Sequence, residues 1–487
     1  MKAKVERCQL SKDFSISKVL TGLWQIADME RDSSPLDLEA TAAAMSPYVN
    51  AGFTTFDMAD HYGSAEEIAG IFQKQHGPGV QLLTKWVPKP GQITRNDVRT
   101  NLHRALDRMQ VPSVDLLQFH AWDYTDPNWL DSLFWLQELK EEGLIHHLGL
   151  TNFDTTHLRI IVNSGIEVVS NQVCFSLLDQ RAKNGMTDFC LQRDIKLLVF
   201  GTVAGGFLTE QWLNKSEPQL NKLKTWSQMK YLRFIYTAGG WILFQELLHT
   251  LNNIAKRLGV SISNIACRYI LEEPSVGGII IGARLGKSEH IKDNLRLFQF
   301  TLDQDSRKEI GEALTRLKPI PGDCGDEYRR PPFLTASGDL SHHMESLPLP
   351  YQVHIDKEGK SRILNDDPGG DKNGSSLAIR YGDRIAVSKT NAGYGDRVIG
   401  GQDPAAQLNF ILDKIEGLIK SLGGGLEDII STSVYFSNIL DLDVLTKVYK
   451  ARFSEIMPAS KFAPATMAHD QYLVEMEAEA EVSKLKH

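Results

Sequence analysis

The stretch QLLTKWVPKPGQITRNDVRTNLHRALDRMQVPSVDLLQFH, residues 81–120, decides the fold. Its two ends, Gln81–Lys85 and Asp115–His120, read as short strands, and Asn96–Met109 between them reads as a helix. Strand, helix, strand in this spacing makes a right-handed crossover between parallel neighbours. The rhythm continues outward from about residue 18 to residue 281. Further strand-like runs are Val19–Trp24, Thr54–Asp57, His147–Thr151, Val168–Gln172, Lys196–Phe200 and Gly277–Ile281, eight in all. Leu38–Val49, Leu130–Glu141 and Thr155–Val162 are helix-like. The long gap before the last run holds a helix of its own, Leu243–Leu258, with Leu243, Leu247, Leu248, Leu251 and Ile254 at helical spacing. Eight such units predict a closed (β/α)8 TIM barrel. An open doubly wound sheet is the rival, and the lack of a GxGxxG after the first run counts against it.

The whole chain has 487 residues, 42% hydrophobic and 23% charged, so it is expected to fold into two or three domains. A net charge of −8 offers no footprint for nucleic acid or an anionic membrane. No run approaches the roughly 18 apolar residues of a membrane helix. The five cysteines are scattered, with no CxxC pair, so no zinc site and no disulfide framework are expected. The first residues, MKAKVERCQLSKDFS, lack the apolar run of a secretory signal. The expected compartment is the cytoplasm.

After a Gly/Pro-rich tail, Pro319–Gly338, the rhythm changes. Residues 356–374 are polar and turn-rich, a hairpin or mobile loop. From about 377 to 483 the order is β, α, β, α, β. Leu408, Ile411, Leu412, Ile415, Leu418, Ile419 and Leu422 form one apolar helical stripe, and Leu442, Leu445, Val448, Tyr449 and Phe453 another. Leu473–Val482 alternates apolar residues with Glu475, Glu477, Glu479 and Glu481. The expected division is a barrel with its tail over 1–343, a linker with a hairpin or loop over 344–376, and a smaller α+β domain over 377–487.

In a barrel, reactive groups sit at the C-terminal ends of strands. Those ends carry Asp57 and Tyr62, then Lys85, then His120. A phenol, with an ordinary pKa near 10, is a poor acid at neutral pH unless an ammonium stabilises its phenolate. Lys85 is that ammonium, Asp57 its counter-ion, and His120 can orient a carbonyl oxygen. The expectation is a lowered phenol pKa and a proton donor aimed at a carbonyl. A lone Tyr or His at a strand end is more often structural. Four compatible groups at three successive ends are hard to obtain by accident.

These motifs resemble the aldo-keto reductase family over roughly 15–343. FDMADHYG (56–63), LLTKW (82–86), DLLQFH (115–120), GLTNF (149–153), SNQVCFSLL (170–178) and IIGARLGKSEHIKDN (280–294) carry the resemblance. It implies a catalytic tetrad of Asp57, Tyr62, Lys85 and His120, with Tyr62 as general acid. It implies that Thr151, Asn152 and Gln172 hold a nicotinamide carboxamide and that Phe200 stacks on its ring. Gly201, Gly205, Gly206 and Leu208 would approach the pyrophosphate, and Gly282, Ala283, Arg284 and Asn294 the adenosine phosphate end. Arg284 favours NADP(H) over NAD(H), with His290 standing where many members carry Arg or Gln. Trp24, Trp86 and Trp122 follow strands one, three and four and are expected to wall the substrate mouth. No metal is implied.

Residues 380–482 resemble the Rid/YjgF family, whose small chorismate-mutase-like α+β domains form trimers, some of them hydrolysing enamines and imines. RYGDRIAVS (380–388), LEDIISTSVYFS (426–437), a helix through VYKARFSEIMPAS (448–460) and YLVEMEAEAEV (472–482) carry this resemblance. Deaminating members place arginine after Pro-Ala; here Pro458-Ala459 is followed by Ser460 and Lys461, and Glu475 matches their water-positioning glutamate. The resulting expectation is an NAD(P)H-dependent carbonyl reductase, homo-oligomeric through this domain. The rivals are a bifunctional imine deaminase and reductase, and a non-catalytic NADPH-binding redox sensor.

Overall fold

The computed structural model describes residues 4–26, 36–77, 79–287, 289–330, 347–365 and 375–482. The chain divides into two compact units, one of residues 1–122, 135–155 and 168–345, the other of 123–134, 156–167 and 346–487.

The first unit begins with a hairpin of β1 (Arg7–Gln9) and β2 (Ser15–Ser17). Eight parallel strands follow: β3 (Val19–Gly22), β4 (Thr55–Asp57), β5 (Gln81–Trp86), β6 (Val114–Phe119), β7 (Ile145–Thr151), β8 (Ser170–Cys174), β9 (Lys196–Phe200) and β10 (Val276–Gly282). They close in that order, β10 pairing back onto β3, into the expected (β/α)8 barrel. The eight strand-like runs are these strands; Lys196–Phe200 coincides at both ends and the others are displaced by at most two residues. The first is shorter than its apolar run, because Trp24–Ile26 turns into a 3-10 helix. Leu38–Val49 is two helices, Leu38–Ala43 and Ser46–Asn50, since Pro47 has no N–H with which to continue the first.

The helix of the opening stretch spans Arg95–Met109. Thr94 Oγ1 accepts from the Asp97 N–H at 3.2 Å, and Asp97 Oδ2 accepts from the Thr94 N–H at 2.8 Å. This reciprocal cap satisfies two orphan donors at the helix start. Val98, Leu102, Ala105, Leu106 and Met109 are its buried face.

Leu10, Phe14 and Ile16 of the hairpin pack with Leu20, Leu83, Leu116 and Leu198 from four barrel strands. Phe14 also stacks on His147, near the start of β7, at 4.9 Å. The hairpin therefore plugs the end of the barrel where strands begin. That leaves chemistry to the end where they finish.

The second unit carries β11 (His354–Ile355), β12 (Ser361–Leu364), β13 (Ser376–Tyr381), β14 (Arg384–Asn391), β15 (Gly393–Tyr394), β16 (Arg397–Val398), β17 (Ile429–Phe436), β18 (Ala459–Pro464) and β19 (Val474–Glu481). Seven of these form one sheet in the order β11-β12-β13-β14-β19-β17-β18. The polar stretch 356–374 supplies the turn and second strand of the β11-β12 hairpin, whose first strand just precedes it; residues 366–374 lie outside the described residues. Leu408, Ile411, Leu412, Ile415, Leu418 and Ile419 of the Pro404–Ser421 helix are buried, as their spacing requires. The helix expected through 448–460 ends earlier, at Phe453. Ala459 and Ser460 instead start β18, parallel to β17, because Pro458 cannot extend a helical hydrogen-bond ladder. In β19, Glu479 and Glu481 are exposed as the alternation demands, but Glu475 is 1% exposed. It forms an ion pair with Lys389 at 3.3 Å. Among the described residues no helix is long and apolar enough to cross a membrane.

Candidate active site

The finishing ends of the strands surround a cleft of about 850 Å3. Strand alternation aims side chains into it. Lys85 points inward from β5, and its ammonium, 4% exposed, lies 2.6 Å from Asp57 Oδ2 and donates to the Met58 carbonyl at 2.8 Å. Asp57 Oδ1 accepts from Gln172 Nε2 at 2.8 Å and from Gln118 Nε2 at 3.1 Å, and Gln172 also donates to Gln118 Oε1 at 2.8 Å. The carboxylate is thus fixed by one cation and two amides. Tyr62 follows β4 on a loop that Arg108 pins by donating to the Asp60 carbonyl at 2.9 Å and to the Gly63 carbonyl. The Lys85 ammonium lies over the Tyr62 ring, 5.0 Å from its centroid. Trp24 packs edge-on against the same ring at 4.9 Å. His120, buried at the end of β6, has Nδ1 3.3 Å from the Thr151 carbonyl and its ring edge-on to Trp122 at 4.4 Å.

The electrostatics differ from the expectation in one respect. Burial pushes the Tyr62 phenol above its ordinary value, and the neighbouring Lys85 offsets this only in part. The lysine itself stays charged: burial works against it, but Asp57 and Tyr62 together hold its pKa up. The phenol is therefore protonated at neutral pH, the form a proton donor needs. The ammonium awaits the charge left when the proton departs.

Thr151, Asn152, Gln172, Phe200, Gly201, Gly205, Gly206, Gly282, Arg284 and Asn294 line the same cleft, as do Trp24 and Trp122. Leu208, Ala283 and Trp86 do not; they are buried at 0%, 2% and 5% exposure. Trp86 faces away because Lys85 beside it faces in, and it packs on Phe119 at 5.4 Å. The Ala283 N–H ties β10 to the Gly22 carbonyl at 3.0 Å. The residues fit a dinucleotide. Asn152 stands at φ 61 and its Oδ1 is buried with no hydrogen-bond partner among the described residues, an acceptor suited to a carboxamide NH2. Gly206 stands at φ +91 with open space where a Cβ would be, which permits close backbone approach. Arg284 is exposed at the far end beside Lys287.

Three residues escaped the sequence reading: Gln118, buried behind Asp57, and two that line the cleft. Gln118 was legible in principle, as a polar side chain on the inward face shared with His120, two residues on. Lys230, on the Trp226–Thr237 helix, and Tyr328, on the short Asp326–Arg329 helix after the barrel, come from segments whose place over the cleft no local pattern reveals.

A barrel with an Asp–Lys–Tyr–His constellation and a glycine-lined groove defines an NAD(P)-dependent oxidoreductase. The chain belongs to the aldo/keto reductase family, whose model matches residues 18–315. A second family model, described as Endoribonuclease L-PSP and equivalent to Rid/YjgF, matches residues 372–482. The Protein tas of Escherichia coli is 24% identical over 326 residues, covering 58% of this chain and 91% of that protein. The NADH-specific methylglyoxal reductase of Escherichia coli is 23% identical over 330 residues, covering 62% of this chain and 97% of that protein. Among solved structures, the glycerol dehydrogenase of Gluconobacter oxydans superposes with a TM-score of 0.52 at 20% identity, over 66% of this chain and 98% of that one.

Proposed function

We propose that the chain reduces an aldehyde or ketone, or oxidises the corresponding alcohol, with Tyr62 as general acid. One observation supports this reading: Tyr62, Lys85, Asp57 and His120 converge in a single cleft, with the ammonium paired to the carboxylate and lying over the phenol ring. Bound NAD(P)H supplies the hydride for the carbonyl carbon. His120 orients the carbonyl oxygen, Tyr62 gives it a proton, and Lys85 stabilises the phenolate left behind. Asp57 keeps the lysine charged. Trp24 and Trp122 wall the substrate mouth with apolar surface. Arg284, with Lys287 beside it, favours NADP(H) through its match to a 2′-phosphate. The test is Tyr62→Phe: NADPH oxidation with a model aldehyde is lost while cofactor binding, read by fluorescence quenching, is kept. Unchanged turnover refutes the assignment.

For the C-terminal domain we propose assembly, as a homotrimer, rather than imine hydrolysis. Ser460 stands where a carboxylate-clamping arginine would serve, and its hydroxyl is engaged by Tyr449 at 2.5 Å. Glu475 is buried against Lys389. Leu440 and Met457 are 83% and 78% exposed, apolar surface suited to a partner copy. Light scattering on the full chain tests this, and a monomer refutes it.

A further inference from the structure

The cleft contains a second lysine–tyrosine pair that the reduction mechanism does not use. Lys230 donates to the Tyr328 hydroxyl at 2.8 Å. Its ammonium lies 5.0, 5.5, 5.7 and 4.7 Å from the ring centroids of Phe200, Tyr231, Phe234 and Tyr328. This is an aromatic cage, and a cation facing several ring faces in a desolvated setting is attracted to all of them. The lysine side chain is 11% exposed, and what is exposed faces the cleft, since Lys230 and Tyr328 both line it.

The pair adjoins the reacting position. Tyr328 meets His120 edge-on, 6.1 Å between centroids. A molecule whose carbonyl oxygen sits on His120 and Tyr62 therefore presents its neighbouring atoms to Tyr328.

The lysine stays charged there. Burial opposes the charge, but Tyr328 and Glu327 more than restore it, so its pKa stands above the ordinary lysine value. Glu327 does not cancel that charge outright. It is 3.9 Å from Lys230 and only 2.8 Å from Arg181, which also grips Asp179 at 2.7 Å. Tyr328 is pushed up to about 12, chiefly by burial against the pull of Lys230, so it remains a phenol. Its oxygen accepts from the lysine, and its O–H can donate to something else. A fixed ammonium and a phenolic donor, side by side in a low-dielectric wall, are the complement of a carboxylate.

We propose that Lys230 and Tyr328 form a subsite for an anionic oxygen of the substrate, so that the cleft favours carbonyl compounds bearing a carboxylate close to the carbonyl group. One carboxylate oxygen accepts from the Lys230 ammonium and the Tyr328 hydroxyl, while the carbonyl lies between His120 and Tyr62. The subsite deepens the carbonyl-reductase reading and rests on it.

The test compares kcat/KM of the full-length chain, with NADPH, for matched acid and neutral aldehydes: glyoxylate against methylglyoxal, and para-carboxybenzaldehyde against its methyl ester. The expected result is a preference for the acid in at least one pair, falling by about tenfold or more in Lys230→Met. Lys230→Arg retains part of the preference, and Tyr328→Phe loses part of it. Should Lys230→Met not fold, the wild-type chain decides alone: benzoate inhibits reduction of the ester and methyl benzoate does not. Absence of any acid preference in the wild type, an unchanged ratio in Lys230→Met, or a variant whose defect is confined to the KM for NADPH overturns the subsite while leaving the reductase reading intact. Failure of the wild type to reduce any of the four aldehydes overturns both.

Discussion

Replacing Lys85 with Met isolates the electrostatic step on which the site depends. The ammonium lies 5.0 Å from the Tyr62 ring centroid. At that separation and an effective dielectric of about 20, two unit charges interact by about 3 kcal/mol. Each 1.36 kcal/mol is a tenfold change in acid dissociation, so the phenol weakens by roughly two powers of ten. Burial already holds Tyr62 above its ordinary value, and the substitution moves it further up. The overall equilibrium is untouched, so at any fixed pH reduction and oxidation must slow together. If about half of the lost acidity is felt in the transition state, both directions fall by about tenfold near neutrality. The distinguishing sign is the pH profile. Alcohol oxidation, which needs the phenolate, levels off in alkali in the wild type and is still climbing at the same pH in the variant. Steady-state rates in both directions across the alkaline range measure this. The single variant also strands the buried Asp57 carboxylate, a cost of about 3–5 kcal/mol. Asp57→Asn with Lys85→Met recovers thermal stability without recovering rate. A rate loss with an unmoved alkaline limb refutes the reasoning.

Other perturbations have equally definite outcomes. Gln118→Leu removes the donor to Asp57 at 3.1 Å and the acceptor for Gln172 at 2.8 Å; it should lower stability by about 1–3 kcal/mol and reduce kcat, read by thermal melting and steady-state rates. Arg284→Ala should raise the KM for NADPH by roughly ten- to a hundredfold and leave that for NADH nearly unchanged, as loss of a charge-assisted contact to phosphate requires. Asp323 is pushed up to about 6 by burial and then by the charge of Asp154. The folded chain thus holds this proton more tightly than the unfolded one, whose carboxyl titrates near 3.9. Stability from this group is complete below about pH 4 and is lost as pH rises through about 6. Melting temperatures of Asp323→Asn should lack that decline.

The barrel was legible because short β-type runs alternate with helical stripes eight times over. Tyr62, Lys85 and His120 were legible because strand ends converge at one mouth, a property of the topology rather than of any one residue. Trp86 misled for the same reason: adjacency to Lys85 suggested the mouth, while the two-residue period of a strand sends neighbours to opposite faces. The sign of the Tyr62 shift was not readable, because it is a difference between burial and the pull of Lys85, and burial has no signature in a sequence. The apolar stripe of Val448, Tyr449 and Phe453 predicts a helix and does end at Phe453; the strand that holds Ser460 is set by pairing with β17, which no local pattern reveals. Lys230 and Tyr328 meet only through tertiary folding.

The plug made by Leu10, Phe14 and Ile16 separates durability from reactivity. Whatever hardens that stopper, a tighter turn between β1 and β2 or a bulkier apolar filler, works at the pole remote from the reacting groups. The loops over the opposite mouth can meanwhile be exchanged to admit other molecules, with the foundation left standing.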